Sequence, residues 1–295
     1  MTTIANELFC DGDKVALVLD GAYVYIEKSS NYQFQRKSYS GHKHRSLLKP
    51  FMIVCPDGFI VDALDPYQAN VNDATIAIKI KDDLKKVLGE GDVILADRGF
   101  RDAKTVLEGL GLRVCLPESA PKQLTANQAN RTRLVTKCRF VVEVRNGHLK
   151  TVFRYFDKVW SNKSVPHMME DFRIACAIMN AFHPTIEDMG DGQFIAETMT
   201  ARMGTRNHLG EMVDACGLNK KVMFPLMDGD SILGFPTLTE SDLRSITLGP
   251  YQLKQARSYY AEHIKPGGRY EVGVCVHTES LPLIDLVFQL IWTQC

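Results

Sequence analysis

The hydrophobic positions in the first third of the chain fall into short blocks that end at turn-forming residues. The block from Lys14 to Ile26 is apolar, β-branched and aromatic, which predicts a strand. Two further apolar blocks, 46–55 and 59–66, are separated by Pro56-Asp57-Gly58. Because proline, aspartate and glycine favour tight turns, these two blocks are predicted to form a hairpin.

After the hairpin, helical and strand patterns alternate. Asn72 can cap a helix that runs to about Leu88. A strand at Val93–Ala96, a short helix at about 102–110 and another strand at 113–117 are predicted to follow. Three antiparallel strands followed by alternating strands and helices predict an α/β domain with a mixed sheet.

The segment Arg139–Phe153 allows two interpretations. Its β-branched residues lie on both sides of Asn146-Gly147, and on local propensity this favours a hairpin. A helix would instead place Glu143 on one stripe with three cations: Arg139, Lys150 and Arg154. Its apolar face would then consist of Leu134, Cys138, Val142, Leu149, Val152, Phe153 and Phe156.

The second half of the chain has weaker patterns. A helix is predicted at about Val165–Phe182, whereas the periodicity fades from about 185 to 234 and indicates a linker. Residues 239–264 are typical of two helices, and 269–277 of a closing strand. The predicted organisation is one domain at 1–184, a linker or irregular region at 185–235, and a small C-terminal α+β segment, expected to be truncated, at 236–295.

Composition narrows the class of protein. The chain has 295 residues, 45% of them hydrophobic and 24% charged, as in an ordinary globular protein. We expect no membrane association, because no apolar run is long enough to span a bilayer and no secretory leader begins the sequence. The eight cysteines include no CxxC pair, which argues against a zinc framework or a disulfide scaffold and favours a reducing intracellular compartment.

The neutral net charge conceals a basic segment. Between Lys122 and Lys158 there are nine basic residues and only two acids, Glu143 and Asp157, whereas the whole chain carries 35 residues of each sign. Such a local positive field attracts polyanions, although a solvated helix face would have the same composition.

Two carboxylates interrupt strands that otherwise look built for the interior. Asp20 ends an apolar run and precedes Gly21, and Asp97 ends "VILAD" and precedes Arg98-Gly99. Carboxylates at neighbouring strand ends, joined by Glu143 if its segment is helical, would form a site for Mg²⁺, which prefers a few carboxylates together with phosphate oxygens. Other phosphate-binding patterns, GxGxxG and GxxxxGK[ST], are missing from the sequence.

Four blocks support a more specific interpretation. In chain order they read "LVLDGAYVYI", "YSGHKHRSLLKPFMIVCPDGFIVDALDPYQANVNDATI", "VILADRGF" and "TRLVTKCRFVVEVRNGHLK". Together they resemble the DDE-superfamily endonuclease domain, which is the catalytic domain of Harbinger-type DNA transposases and their domesticated relatives. The resemblance covers about residues 14–183.

The resemblance implies a ribonuclease-H-like fold and a helix over the ambiguous segment. It implies that Asp20, Asp97 and Glu143 are the catalytic residues and hold two divalent cations, Mg²⁺ or Mn²⁺. The implied activity is a metal-dependent DNA endonuclease or strand transferase that acts on phosphodiester bonds by a two-metal mechanism. An alternative is a domesticated, catalytically inactive module that binds DNA or protein.

The remaining expectations concern DNA. Lys43 and Lys49 match the family's "YSxxKxxxxxK" block and are expected to meet phosphates, as are the helix-face cations Arg139, Lys150 and Arg154. Because no groove-reading motif is found in the sequence, a separate DNA-binding partner protein is expected to supply site choice. A DNA substrate predicts location in the nucleus, with the cytoplasm as the alternative.

Overall fold

The computed structural model describes residues 3–119, 124–187, 190, 192–217, 226–228, 237–249, 251–264, 267–268 and 270–273. Contacts divide the chain into two compact units, residues 1–203 and 204–295. All the site residues predicted from the sequence lie in the first unit.

The first unit is built on a mixed sheet. Its strands are β1 (Ala16–Gly21), β2 (Val24–Tyr25), β3 (Tyr39–Ser40), β4 (Arg45–Val54), β5 (Ile60–Gln68), β6 (Val93–Leu95) and β7 (Arg113–Cys115). Strand β4 pairs antiparallel with β1, β2, β3 and β5, whereas β1, β6 and β7 pair in parallel. The predicted α/β class, the mixed sheet and the hairpin of β4 and β5 are therefore confirmed.

Helices flank this sheet. They are α1 (Thr3–Phe9), α2 (Tyr32–Ser38), α3 (Asp73–Lys79), α4 (Lys81–Val87), α5 (Lys104–Glu108), α6 (Ala126–Val152), α7 (Met168–Phe182) and α8 (Gly192–Arg202). Single 3-10 turns lie at Arg98–Ala103, Arg154–Asp157 and Val165–His167. The helix expected at 72–88 is two short helices, and Asn72 caps the first of them as predicted, accepting a hydrogen bond from the Thr75 N–H.

The alternation of side chains along β1 decides which residues face the site. Leu17 and Leu19 pack into one core with Phe51, Ile94 and the apolar sides of α3, α4 and α5. Because successive strand side chains point to opposite faces, Val18 and Asp20 face the other side of the sheet. Helix α6 contacts β1 and β6, and its Val142 is fully buried.

Helix α6 confirms the helix that the family resemblance implies for Arg139–Phe153 and overturns the hairpin that local propensity favours. The helix starts behind Thr125, whose hydroxyl accepts from the Gln128 N–H while the Gln128 side chain accepts from the Thr125 N–H. This reciprocal cap satisfies N–H groups that the first helical turn leaves unpaired. The predicted apolar face is right for its central residues but too long, because Val152 is exposed and Phe153 lies past the last helical residue.

The region predicted to be a linker, 185–235, differs from that expectation in its regular structure. Helix α8 lies within it and contacts α1 and α6 of the first unit. In the second unit the described elements are α9 (His208–Ala215), β8 (Leu226–Asp228), α10 (Glu240–Thr247), α11 (Tyr251–His263) and β9 (Glu271–Gly273). The two predicted C-terminal helices correspond to α10 and α11, while most of the closing strand expected at 269–277 lies outside the described residues.

In the part of the chain that the structure describes, no helix combines the length and the apolar character that crossing a bilayer requires.

Candidate functional site

The register of two parallel strands brings Asp20 and Asp97 together. Val18 of β1 lies opposite Leu95 of β6, so the same register continued by two residues sets Asp20 beside Asp97. Neighbouring strands lie about 4.8 Å apart, and residues two positions further along keep the same facing. The two apolar runs therefore end in adjacent carboxylates on the side of the sheet that α6 contacts.

Asp20 is mostly buried, and its pKa is raised to about 7. Burial is the main cause, because it disfavours the charged form, and the nearby carboxylates Asp97 and Asp73 raise the pKa further. The Arg139 guanidinium and a hydrogen bond from the Gly21 N–H act in the opposite direction but do not compensate. The site therefore has an excess of negative charge that the surrounding protein does not neutralise.

Gly99 explains why a glycine follows the second carboxylate. The Gly99 N–H donates to Asp97 Oδ1 over 2.7 Å, which fixes the orientation of this carboxylate at the start of the 3-10 turn. A Cβ at position 99 would lie 2.9 Å from the same oxygen, closer than side-chain carbons approach. Any larger residue would have to displace Asp97.

A third aspartate joins the site from the other face of the sheet. Asp73 is the first-turn acid of α3, as the sequence suggests, and it forms an ion pair of 3.2 Å with Lys49. Both lie around Gly21, where a Cβ would be 3.5 Å from Asp73 Oδ1. The sequence leaves two interpretations of Asp73, an auxiliary acid of the metal site or the first-turn acid of a helix, and favours the second.

Lys49 lies inside the protein rather than on a DNA-facing surface. It is 6% exposed, and its ammonium donates to the Val71 carbonyl as well as to Asp73. In this arrangement Lys49 neutralises Asp73, so the prediction that Lys49 meets a DNA phosphate does not fit the structure.

Glu143 is bound to Arg139 on the adjacent turn of α6. Arg139 Nη2 donates to Glu143 Oε1 over 2.6 Å, and the two side chains are 17% and 45% exposed. Arg139 also influences the pKa of Asp20, so the pair lies at the same site as the aspartates. Among the described residues, no three histidine, cysteine, aspartate or glutamate side chains converge closely enough to hold a metal ion.

The residues nevertheless fit a divalent cation in part. Asp20 and Asp97 supply hard oxygen ligands, and a bound cation would favour the ionised form of Asp20, which burial and the neighbouring carboxylates disfavour. The third predicted ligand, Glu143, would first have to leave Arg139.

Two of the predicted DNA-binding lysines approach each other beside the acids. Lys43 is exposed and lies over the Tyr23 ring, with its Nζ 5.2 Å from the ring centroid. Burial, the three aspartates and Tyr25 raise the pKa of Tyr23 to about 12, so its hydroxyl is near the carboxylates. Burial lowers the pKa of Lys150, and Lys43 lowers it further, whereas Asp157 acts in the opposite direction.

Arg154 and Arg145 differ from the basic helix face that the sequence suggests. Arg154 is exposed but lies beyond the end of α6, in the 3-10 turn Arg154–Asp157. Arg145, one of the nine basic residues counted in the basic segment, is fully buried and donates to the Gly58 carbonyl over 2.6 Å. It therefore adds no charge to a surface field.

Comparisons with known proteins agree with this geometry. A family model described as DDE superfamily endonuclease matches residues 19–180, more than half of the chain. The match includes Asp20, Asp97 and Glu143. No curated protein and no solved structure matches the chain.

Proposed function

Because the chain belongs to the DDE superfamily of endonucleases, we propose that it is a transposase-derived, metal-dependent endonuclease or strand transferase that acts on DNA phosphodiester bonds. The supporting observation is the pair Asp20 and Asp97, two carboxylates that the parallel strands bring together, with the pKa of Asp20 raised to about 7 by burial and by its acidic neighbours. The finer assignments to the ribonuclease-H-like fold and to the Harbinger type belong to this proposal, as does a nuclear location. The order of the main strands, β5-β4-β1-β6-β7 with the last three parallel, supports the fold assignment.

In the proposed mechanism Asp20 and Asp97 hold divalent cations, Mg²⁺ or Mn²⁺, and Glu143 completes the ligand set. Two such ions stabilise the attacking and leaving oxygens of a phosphodiester and lower the pKa of a bound water. The Gly99 N–H keeps Asp97 in one orientation, so this ligand needs no reordering when an ion binds.

The cations of the protein have separate roles in the proposal. Lys43, Lys150 and Arg154 bind DNA phosphates in this proposal: Lys43 lies over Tyr23 and close to Lys150, and Arg154 is exposed on the turn after α6. Arg139 screens Asp20 in the absence of metal and becomes available to a phosphate when it releases Glu143. Target choice is assigned to a separate DNA-binding partner protein, since phosphate contacts carry no base information.

The test is relaxation of supercoiled plasmid DNA by the full chain with Mg²⁺ or Mn²⁺. Asp97→Asn should reduce cleavage roughly a thousandfold or more, because the metal's charge stabilisation is worth several kcal/mol. Asp102→Asn is the matched control: Asp102 is on the same 3-10 turn, its side chain is 71% exposed, and its loss should leave cleavage unchanged. Equal cleavage by wild type and Asp97→Asn would contradict the proposal.

The bond between Glu143 and Arg139 favours a second candidate, a domesticated module that binds DNA without cutting it. The same experiment separates the two functions. Wild-type protein that binds duplex DNA but cleaves no plasmid with either ion would support the inactive module.

A further inference from the structure

Two tyrosines on one face of the edge region are each covered by a cation. Tyr23 and Tyr25 are two positions apart along an extended segment, so their rings point the same way, about 6.6 Å apart along the strand. Lys43 lies over the Tyr23 ring at 5.2 Å, and Arg45 lies over the Tyr25 ring with its guanidinium carbon 4.9 Å from the centroid. The two pairs form a line that begins beside the catalytic aspartates.

The line ends in an open groove of about 280 Å³. This is close to the lower end of the roughly 300–1,000 Å³ that small-molecule sites occupy, so the groove has room for about one nucleobase. The residues that matter for recognition combine rings, cations and an exposed apolar side chain: Tyr25, Tyr39, His44, Arg45, Lys28 and Val159. The Tyr39 ring is 41% exposed.

The groove is positively charged. Among the described residues that line it, Glu27 is the one acid, and its carboxylate accepts a hydrogen bond from the Asn162 N–H. Lys28 and Arg45 outnumber it, and Lys43 adds a third positive charge along the approach. This positive charge attracts a polyanion more strongly than an uncharged apolar ligand.

The two cations that lie over the tyrosine rings flank a residue with an unusual backbone conformation. His44, between Lys43 and Arg45, has a φ of 51°, in the left-handed region that residues with a side chain rarely adopt. Such a conformation costs free energy and persists only where surrounding contacts hold it. Here it accompanies the placement of both cations over the tyrosines.

We propose that this groove binds an unpaired nucleotide of the DNA strand that leads away from the site of cleavage, with the base stacked on Tyr39 or the Arg45 guanidinium and its phosphate beside Lys28 and Lys43. Rings and guanidinium planes stack on any base, and neighbouring cations follow the backbone, so recognition is for single strands and not for a sequence. The inference rests on the proposed DNA function and adds that part of the substrate is held unpaired.

The test measures binding without cleavage. The full chain is titrated into fluorescein-labelled oligothymidine and into a duplex of the same length, in EDTA, with fluorescence anisotropy as the readout. Tyr39→Ala and Arg45→Gln should each weaken oligothymidine binding roughly five- to 150-fold, which corresponds to the 1–3 kcal/mol of one base-stacking contact. Duplex binding should change less than about twofold.

The matched controls are Tyr32→Ala and Arg36→Gln, two exposed residues of α2 outside the groove lining. Both should bind oligothymidine as wild type does, and thermal melts check that all four variants are folded. Equal losses on single strand and duplex would overturn the proposal, since they indicate a general basic surface. So would unchanged oligothymidine binding, or a wild type that binds duplex alone.

The outcome is independent of the plasmid assay. The protein could bind single strands through Tyr39 and yet cleave no plasmid. That result would support the groove and refute the nuclease. Normal cleavage with Tyr39→Ala binding oligothymidine like wild type would refute the groove alone.

Discussion

Strand β1 lies between two buried charges of opposite sign, and the protein surrounds them differently. Toward the start of the strand, at the turn of the β4–β5 hairpin, fully buried Arg145 donates to the carbonyl oxygens of Gly58 and Pro184. At the end of the strand, Asp20 receives one backbone N–H, from Gly21, and lies among other carboxylates. Carbonyl oxygens accept from two of the three guanidinium nitrogens of Arg145, whereas Asp20 has the Arg139 guanidinium near it together with the like charges of Asp97 and Asp73.

This difference separates a structural charge from a functional one. Carbonyl dipoles offset much of the cost of burying Arg145 and tie the hairpin turn to the chain after α7, since a buried charge with hydrogen-bond partners can stabilise a fold. For Asp20 the Arg139 guanidinium and one backbone N–H do not offset the cost of burial, and the proposed metal ion would supply the remaining positive charge. Perturbed carboxylates of this kind are typical of functional sites.

The largest effect on stability is expected at Arg145. Arg145→Ala leaves a cavity and unpaired carbonyl groups, so the free energy of unfolding should fall by about 3 kcal/mol in urea titrations. Arg131→Ala, an exposed arginine of the same helix, should change it by less than about 0.5 kcal/mol. Equal stability of the two variants would show that Arg145 is not structural.

The opposite sign is expected at Asp20. Its folded pKa, about 7, exceeds the usual 3.8, so the folded state holds its proton more tightly than the unfolded state and stability falls as pH rises from about 4 to 7. Asp20→Asn should remove this dependence and stabilise the metal-free protein at pH 8 by a few kcal/mol, since each unit of pKa shift is worth about 1.4 kcal/mol. Thermal melts at pH 5 and pH 8 provide the measurement.

Divalent ions sharpen the same prediction. With Mn²⁺ at one hundred times its dissociation constant, wild type at pH 8 should gain about 2.7 kcal/mol, whereas Asp20→Asn should gain much less. Asp83→Asn, an acid on α4 in an exposed ion pair with Lys86, is the control that should respond like wild type. A wild type that melts identically with and without Mn²⁺ or Mg²⁺ would argue against a metal site here.

An intermediate effect, on DNA affinity, is expected at Lys43 and Arg154. Reversing Lys43 and Arg154 to Glu should weaken duplex binding and make the log–log salt slope shallower by about 1.8, because each lost phosphate contact accounts for about 0.9. Lys85→Glu, on the exposed side of α4, should leave the slope unchanged. Fluorescence titrations between 50 and 200 mM salt, values at which such slopes are resolved, measure both.

The smallest effect on stability is expected at the basic cluster, which consists of His148, His183 and Arg145. His148 stacks on His183 with ring centroids 4.6 Å apart, and burial, His183 and Arg145 lower its pKa. A base with a lowered folded pKa loses stability as pH falls below about 6.5, because the unfolded state binds the proton first. His148→Phe should flatten the stability profile below pH 6.5, and His42→Phe, on an exposed turn, should leave it as in wild type.

The sequence predicts the acids of the site better than its surroundings. Asp20 and Asp97 could be found because apolar strand patterns ended at them, and parallel strands bring such ends together. Only the family resemblance predicted helix α6, because Val141 and Val142 beside Asn146-Gly147 favour a hairpin on local propensity, and tertiary packing overrides such preferences. The signal that would have corrected this was Thr125 with Gln128, a helix-start pair.

The basic cluster could not be found in the same way. The partners of Arg145 are backbone carbonyls 87 and 39 residues away, and a carbonyl leaves no mark on the sequence. Its charge therefore looked like part of a surface field. The ion pair of Asp73 could not be found for a related reason, since its partner Lys49 lies 24 residues away on strand β4.

The ion pair of Arg139 and Glu143 links metal binding to DNA binding in the proposed reaction. A cation that takes Glu143 as a ligand frees the guanidinium, and a phosphate that takes the guanidinium frees the carboxylate. Each event removes the same obstacle for the other, so metal and DNA should bind with positive cooperativity, and the enhancement must be equal in both directions. In the proposed reaction, this bond keeps Glu143 from the metal until DNA binds to Arg139.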